Sequence, residues 1–108
     1  MNKLFKPYVA VFNAAIPVRR LVQIPEKVSP KVVPLVRAFL PSVRAFALAL
    51  KEEDGGKDGS WSAYLERYLR RADEFFAVAD SELDPWTAYQ HFGYLHNGAV
   101  DAGLFHQL

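Results

Sequence analysis

The three histidines are the residues whose chemistry best suits metal binding or proton transfer. His91 and His96 lie five residues apart, which turns their rings roughly 140° from each other on a helix. Two metal ligands on one helix face need a spacing of three or four residues. The sequence has no cysteine to complete a site that includes His106, and Asp101 is the only nearby acid. We therefore predict structural or surface histidines, no metal site and no cofactor.

Nucleophilic and acid–base catalysis also lack a recognisable arrangement of residues. No serine lies in the G-x-S-x-G turn that presents a hydrolase nucleophile. Gly55 and Gly56 are not followed by the Lys-Ser/Thr pair of a phosphate-binding loop. The carboxylates of residues 52–58 share a glycine-rich stretch, which cannot hold a catalytic pair in place. We predict that the protein is not an enzyme.

A basic stripe is the strongest candidate for binding. Arg37, Arg44 and Lys51 lie seven residues apart and so share one side of a helix. This layout suits a helix that lies on anionic lipid, such as cardiolipin, or one that docks on other protein subunits. It equally suits a core helix whose cations reach solvent or pair with the acidic half of the chain. Arg19 and Arg20 are further candidates for lipid or partner binding.

Aromatic residues are abundant in the second half of the chain and suit contacts with other proteins. Trp61, Tyr64, Tyr68 and Trp86 are candidate interface residues, because Trp and Tyr are frequent anchors at protein interfaces. The alternative is that most aromatics of this half fill the core between two helices.

The charge divides at residue 51. Residues 1–51 contain nine Lys or Arg and one acid, a net charge of +8, whereas residues 52–108 contain four bases and eleven acids, a net charge of −7. We interpret residues 1–51 as a basic, proline-punctuated helical segment, 52–60 as a glycine-rich acidic hinge and 61–108 as an acidic, aromatic helical segment. Nucleic acid is not an expected partner, because the bases are scattered among apolar residues and no nucleic-acid-binding motif occurs.

The prolines divide the first half into two predicted helices. A short helix from Pro7 to about Ile16 would end at Pro17, since proline lacks the N–H that continues a helix. Residues 25–31 form a connector. A longer amphipathic helix then runs from about residue 33 to 51, with a kink at Pro41.

The second half predicts a pair of helices. Residues 60–80 show the strongest helical periodicity, and Ser60 can cap the first turn. Asp84 caps a second helix from Pro85 to about His96, where the following Asn-Gly pair favours a helix end. The predicted fold is all-α, with three or four helices, proline-rich connections, one long kinked amphipathic helix and a C-terminal helical hairpin.

These features favour a non-enzymatic accessory subunit of a larger complex that is associated with a membrane. The absence of cysteine favours an intracellular location. The N-terminal segment has no acid before Glu26 and so resembles mitochondrial targeting segments, which makes the mitochondrial inner membrane a specific expectation. Residues 32–50 have the length of a membrane span, but two arginines disfavour insertion of an isolated span. The alternative is a soluble helical domain that binds an apolar acidic ligand between its helices, with Arg37 or Arg44 holding the acid.

Overall fold

Helices account for the regular structure of the chain. The computed structural model describes residues 2–24 and 26–108, and this part of the chain contains no strand, which confirms the all-α prediction. Its α-helices are α1 (Phe5–Leu21), α2 (Val32–Asp54), α3 (Trp61–Phe75) and α4 (Pro85–Phe105), with a 3₁₀ turn at Asp80–Glu82. Met1 and Pro25, which belong to the predicted basic segment and connector, lie outside the described residues.

Helix α2 lies at the centre and packs against each of the other three helices. It is long and apolar enough to cross a membrane by length and composition, and 44% of its most apolar 18-residue window is buried within the protein. A helix that is apolar on most sides needs to be covered, and here the other helices provide the cover. Its buried side chains are Val32, Val33, Val36, Phe39, Leu40, Val43, Phe46, Ala47 and Leu50.

Helix α1 continues through Pro17 to Leu21, so the predicted end near Ile16 is wrong. Proline removes one backbone donor, the one that would bond to the carbonyl of Asn13. Both Asn13 and Pro17 lie on the exposed face, where water can solvate that carbonyl. Val18 on the opposite face is fully buried, and its packing holds the helix together beyond the proline.

Helix α2 begins one residue earlier than predicted and ends three residues later. Pro34 is tolerated because the N–H groups of a first helical turn have no partner within the helix. Pro41 lies inside the helix. Gly55 ends it with a left-handed backbone, φ 72°, and donates its N–H to the carbonyl of Lys51.

The predicted hinge, residues 52–60, consists of the last turn of α2 and a short loop. The Asp54 carboxylate accepts hydrogen bonds from the backbone N–H groups of Gly56, at 2.9 Å, and Ser62, at 3.1 Å, and from the Ser62 hydroxyl. Partial burial opposes ionisation of Asp54, but these hydrogen bonds outweigh it and lower the pKa of the carboxyl group. The loop therefore joins α2 to the start of α3 through one shared carboxylate.

Both helices of the second half begin at the predicted caps. The Ser60 hydroxyl accepts a hydrogen bond from the N–H of Ala63, at 3.2 Å, and the Asp84 carboxylate accepts one from the N–H of Thr87, at 3.0 Å. Helix α3 ends at Phe75, five residues before the predicted end. The caps were predictable because they depend on residues two or three positions away.

Helix α4 continues to Phe105, so the predicted end near His96 is wrong. Gly98 is helical and buried, and a Cβ added there would lie 2.5 Å from Cε1 of Tyr64 and 3.0 Å from Cδ2 of Leu65. Its role is to let α3 approach closely, and it does not end the helix. Gly103 has the same role towards α1, because a Cβ there would overlap the ring of Tyr8.

The close approach of α3 at Gly98 can be tested with a matched pair of variants, in which Gly93 is the glycine of α4 without such a contact. Gly98→Ala should destabilise the protein by about 1–3 kcal/mol, because the added methyl group overpacks the contact with α3. Gly93→Ala should stabilise it by about 0.5–1 kcal/mol, since a Cβ there meets nothing within 4 Å and alanine favours the helix. Urea unfolding of both variants measures the difference, and equal effects would contradict the close approach at Gly98.

Candidate functional site

A ladder of ion pairs joins α2 to the acidic half of the chain. The pairs are Arg37–Asp80 at 2.6 Å, Arg44–Asp73 at 2.8 Å and Lys51–Glu66 at 3.4 Å. Successive bases are seven residues apart, and so are successive acids, but the two series run in opposite directions along the chain. This pattern is typical of antiparallel elements with matched heptad positions. We call the three pairs the charge ladder.

Arg37 forms the most extensive contacts of the ladder. Its Nε and Nη2 donate to Oδ1 of Asp80, at 2.9 and 2.6 Å, and Nη1 donates to the backbone carbonyl of Phe76, at 2.7 Å. Nη2 also donates to the carbonyl of Val78, at 3.0 Å, and the guanidinium lies over the Phe76 ring at 5.1 Å. Carbonyls at a helix C-terminus have no partner within the helix, and Arg37 supplies one. It thereby fixes the chain that leads from α3 towards α4.

The residues predicted to bind lipid or a partner fall into two groups. Arg37, Arg44 and Lys51 are engaged with acids of the same chain, and hydrogen bonding to Asp73 raises the pKa of Arg44. Arg19 and Arg20 lie exposed in the last turn of α1 and form no ion pair with any residue that the structure describes. Binding by either group stays a prediction.

The acids of the ladder were not identified from the sequence. Glu66, Asp73 and Asp80 repeat the seven-residue spacing of the basic stripe. The matched spacing was a usable signal, because equal periods on two segments allow every pair to form at once. To identify these acids from the sequence, one would also have needed to know that the two segments lie antiparallel.

The outward side of α1 is apolar at its centre and basic towards both ends. Val9 and Ile16 are 36% and 41% exposed, with Asn13 between them. Lys6 and Arg20 lie at the two ends of the same side. We call this surface the α1 outer face; α1 contains no acid.

The predicted interface aromatics lie in two clusters. Trp61, Tyr64 and Tyr68 form a half-buried row on α3, with ring centroids 5.8 and 4.7 Å apart, and Tyr94 of α4 stacks on Tyr68 at 5.1 Å. Burial, together with neighbouring Tyr68, raises the pKa of Tyr64. Trp86 is 45% exposed at the start of α4, with its ring 6.0 Å from that of Tyr89. Each cluster therefore contributes partly to the fold and partly to the surface.

A groove with a volume of about 330 Å³ lies between the C-terminal turn of α1 and the first half of α4. Arg19 is the residue of α1 that lines this groove. Its aromatic wall is a continuous series, in which Tyr89 stacks on Phe92 at 5.8 Å and Phe92 stacks on His96 at 5.3 Å. Trp86 extends this wall at one end. We call it the Arg19 groove; the sequence patterns did not identify it.

Two of the three histidines pack against aromatic side chains. His91 packs against Phe75 at 4.8 Å, and His96 packs between Phe92 and Phe12. Burial lowers the pKa of both histidines, and nearby arginines lower them further. Within residues 2–24 and 26–108, no three His, Cys, Asp or Glu side chains come together in a way that could hold a metal ion.

Comparison with other proteins does not assign this chain to a family. No protein-family model, curated protein or solved structure matches it. Its function is therefore inferred from its own charges, exposed apolar residues and grooves.

The charge ladder can be tested by exchanging one pair. Arg44→Glu and Asp73→Arg should each destabilise the protein by about 1 kcal/mol or less, because the pair is exposed and screened by solvent. The double variant should recover most of the loss, since the pair is restored with reversed polarity. Urea unfolding at low and high salt measures this coupling, which salt should weaken.

Arg67→Glu is the control for this exchange, because Arg67 is an exposed residue of α3 outside the ladder. It lies six residues from Asp73, beyond the three- or four-residue spacing at which side chains of one helix pair. Combined with Asp73→Arg, it should give no recovery. A double ladder variant that is no more stable than the sum of its single changes would contradict the pairing.

The buried histidines predict a pH dependence of stability. The pKa of His91 and His96 is lowered in the folded protein, so below about pH 6.5 the unfolded chain binds more protons than the folded one. Their contribution is complete above that pH and is lost as the pH falls towards the lowered pKa values. Urea unfolding between about pH 7.5 and pH 5 should show this decline. The double variant His91→Gln/His96→Gln should flatten it, and an unchanged slope would contradict the assignment.

Proposed function

We propose that this protein is a non-enzymatic accessory subunit that associates with an anionic membrane surface through the α1 outer face. One observation carries the proposal: the bases of α2 are paired within the chain, whereas those before residue 32 are not paired with any described residue. Six exposed bases and a single acid, Glu26, lie in residues 2–31. The surplus positive charge of the folded protein therefore lies on α1 and the connector that follows it.

The apolar residues of the same region suit a lipid interface. Phe5 is 52% exposed, and Val9, Ile16 and Ile24 continue the exposed apolar surface along the chain. A helix at the surface of a bilayer places such side chains at the boundary between headgroups and acyl chains, while its bases remain near the phosphates. Each Lys or Arg near an anionic surface contributes about 1 kcal/mol of attraction.

Anionic lipid is a better match than an acidic protein for this surface. The apolar residues form a narrow stripe flanked by flexible bases, and Phe5 at its start is the one aromatic side chain among them. Protein interfaces instead centre on packed aromatic anchors. In this proposal Lys6 and Arg20 contact lipid headgroups, and Arg37, Arg44 and Lys51 stabilise the fold. Cardiolipin and the mitochondrial inner membrane are the specific lipid and location that the acid-poor N-terminal segment favours.

The aromatic clusters supply the contacts of a subunit with other proteins. Trp61, Tyr64 and Tyr68 present half-buried rings on α3, and Trp86 presents one at the start of α4. Such rings gain contact area at a low entropic cost, which favours them as interface anchors. With α1 on lipid, these surfaces remain available to other subunits.

Flotation with lipid vesicles tests the proposal. The full chain should float with vesicles that contain cardiolipin, bind weakly to neutral phosphatidylcholine vesicles, and be released by salt. The double variant Lys6→Gln/Arg20→Gln should lose about 2 kcal/mol of binding, roughly thirtyfold in affinity. Ile16→Ser should also weaken binding, because less apolar area enters the interface.

The matched control is Leu48→Ser combined with Arg70→Gln, which removes an exposed leucine and an exposed base from α2 and α3. This variant should bind the anionic vesicles as the unaltered protein does. Equal binding of the unaltered protein to both kinds of vesicle, or an equal loss in the control, would refute the membrane proposal.

A further inference from the structure

The Arg19 groove combines a wall of aromatic side chains with a single cation. Four rings, those of Trp86, Tyr89, Phe92 and His96, follow one another along α4 at centroid distances of 6.0, 5.8 and 5.3 Å. Arg19 faces this wall from α1. Small-molecule sites in proteins are commonly apolar clefts with a few placed polar groups, and a volume of about 330 Å³ reaches their usual range.

The side of α4 next to α1 is closely packed at one end and open at the groove. At one end of the helix pair, Gly103 allows the ring of Tyr8 to touch the α4 backbone. At the other end a Cβ added to Gly93 would meet nothing within 4 Å, although Gly93 lines the groove. The α4 backbone is therefore covered by Tyr8 of α1 at Gly103, whereas the space beside Gly93 is open.

The distribution of charge around Trp86 selects the ligand. The described lining of the Arg19 groove contains no acid, and its other polar side chains are the amides of Gln90 and Asn97. A neighbouring cavity that shares Trp86 contains the carboxylates of Glu26 and Asp84. An anionic group is attracted to Arg19 and repelled from the far side of Trp86, whereas a cation would prefer the neighbouring cavity.

His96 adds an unsatisfied polar atom beside the groove. Its Nε2 is buried and has no hydrogen-bond partner among the described residues. Buried polar atoms in proteins are nearly always paired, and unpaired ones often mark sites that take a ligand or water. The imidazole also stacks on Phe92 and so continues the aromatic wall of the groove.

We infer that the Arg19 groove binds a small aromatic carboxylate, with the ring of the ligand against the aromatic wall of α4 and its carboxylate on Arg19. Aromatic stacking favours a planar ligand over an aliphatic one. A guanidinium is the side chain best suited to hold a carboxylate through two parallel hydrogen bonds. This inference does not depend on the membrane proposal, because it uses the side of α1 that faces α4.

Titration of the full chain with 2-naphthoate, in the absence of lipid, tests the inference. Saturable shifts of the backbone amide of Gly93 and the indole N–H of Trp86 should appear in ¹H–¹⁵N spectra. The neutral analogue 2-naphthalenemethanol, which keeps the ring and lacks the charge, should bind about tenfold more weakly. Equal binding of the two compounds would overturn the role of Arg19.

Two pairs of variants complete the test. Arg19→Gln should weaken 2-naphthoate binding about tenfold and leave binding of the alcohol unchanged, while Arg20→Gln, with the same loss of charge, should weaken neither. Gly93→Leu should abolish binding of both compounds by filling the groove, whereas Gly93→Ala should largely preserve it. Equal losses in the two arginine variants, binding that survives in Gly93→Leu, or shifts that do not saturate would each overturn the site.

The outcomes separate this inference from the proposed function. Arg20→Gln is expected to reduce vesicle binding without affecting 2-naphthoate. If the protein does not bind vesicles but still binds 2-naphthoate through Arg19, the result would support the ligand site and refute the membrane proposal. A protein that binds anionic vesicles but shows no saturable 2-naphthoate binding would overturn the groove alone.

Discussion

Burial of α2 is the interaction on which the rest of the structure depends. Most of its apolar residues, from Val32 to Leu50, are fully or nearly fully buried, which a single neighbouring helix cannot achieve. Helices α1, α3 and α4 each cover part of it. Because water solvates such a helix poorly, the chain gains most by wrapping its other three helices around this one. The apolar excess of the sequence is largely explained by this central helix.

The charge ladder specifies how the helices are arranged around α2. Its side chains are about one third to one half exposed, so each pair adds little to the free energy of unfolding. All three pairs form together in only one register of the two antiparallel segments, since a shift by seven residues would leave at most two acid–base pairs. The contribution of Arg37 extends further, because it also satisfies the carbonyls of Phe76 and Val78. The ladder thus selects an arrangement whose stability comes from the core.

Pairing within the fold changes the distribution of charge from that of the linear sequence. The bases of α2 meet acids, while those of α1 and the connector remain at the surface. Both surfaces proposed to bind lipid or a small ligand consequently include residues of α1. The outer face of α1 points away from the core, and Arg19 lines a groove beside α4 that includes the open space at Gly93. One helix can therefore present two chemically different surfaces.

The sequence by itself determined the helical fold class, the start of each second-half helix at Ser60 and Asp84, and the alignment of Arg37, Arg44 and Lys51 on one stripe. These features depend on residues within one or two helical turns, and local hydrogen bonding and periodicity are sufficient to specify them. Tertiary structure decided where α1 and α4 end. Buried packing at Val18 outweighs the hydrogen bond lost at Pro17, and Gly98 serves a contact with α3 that lies far away in sequence. It also decided that the basic stripe meets Glu66, Asp73 and Asp80 and that a groove opens beside Arg19, because both depend on how separate helices are placed in space.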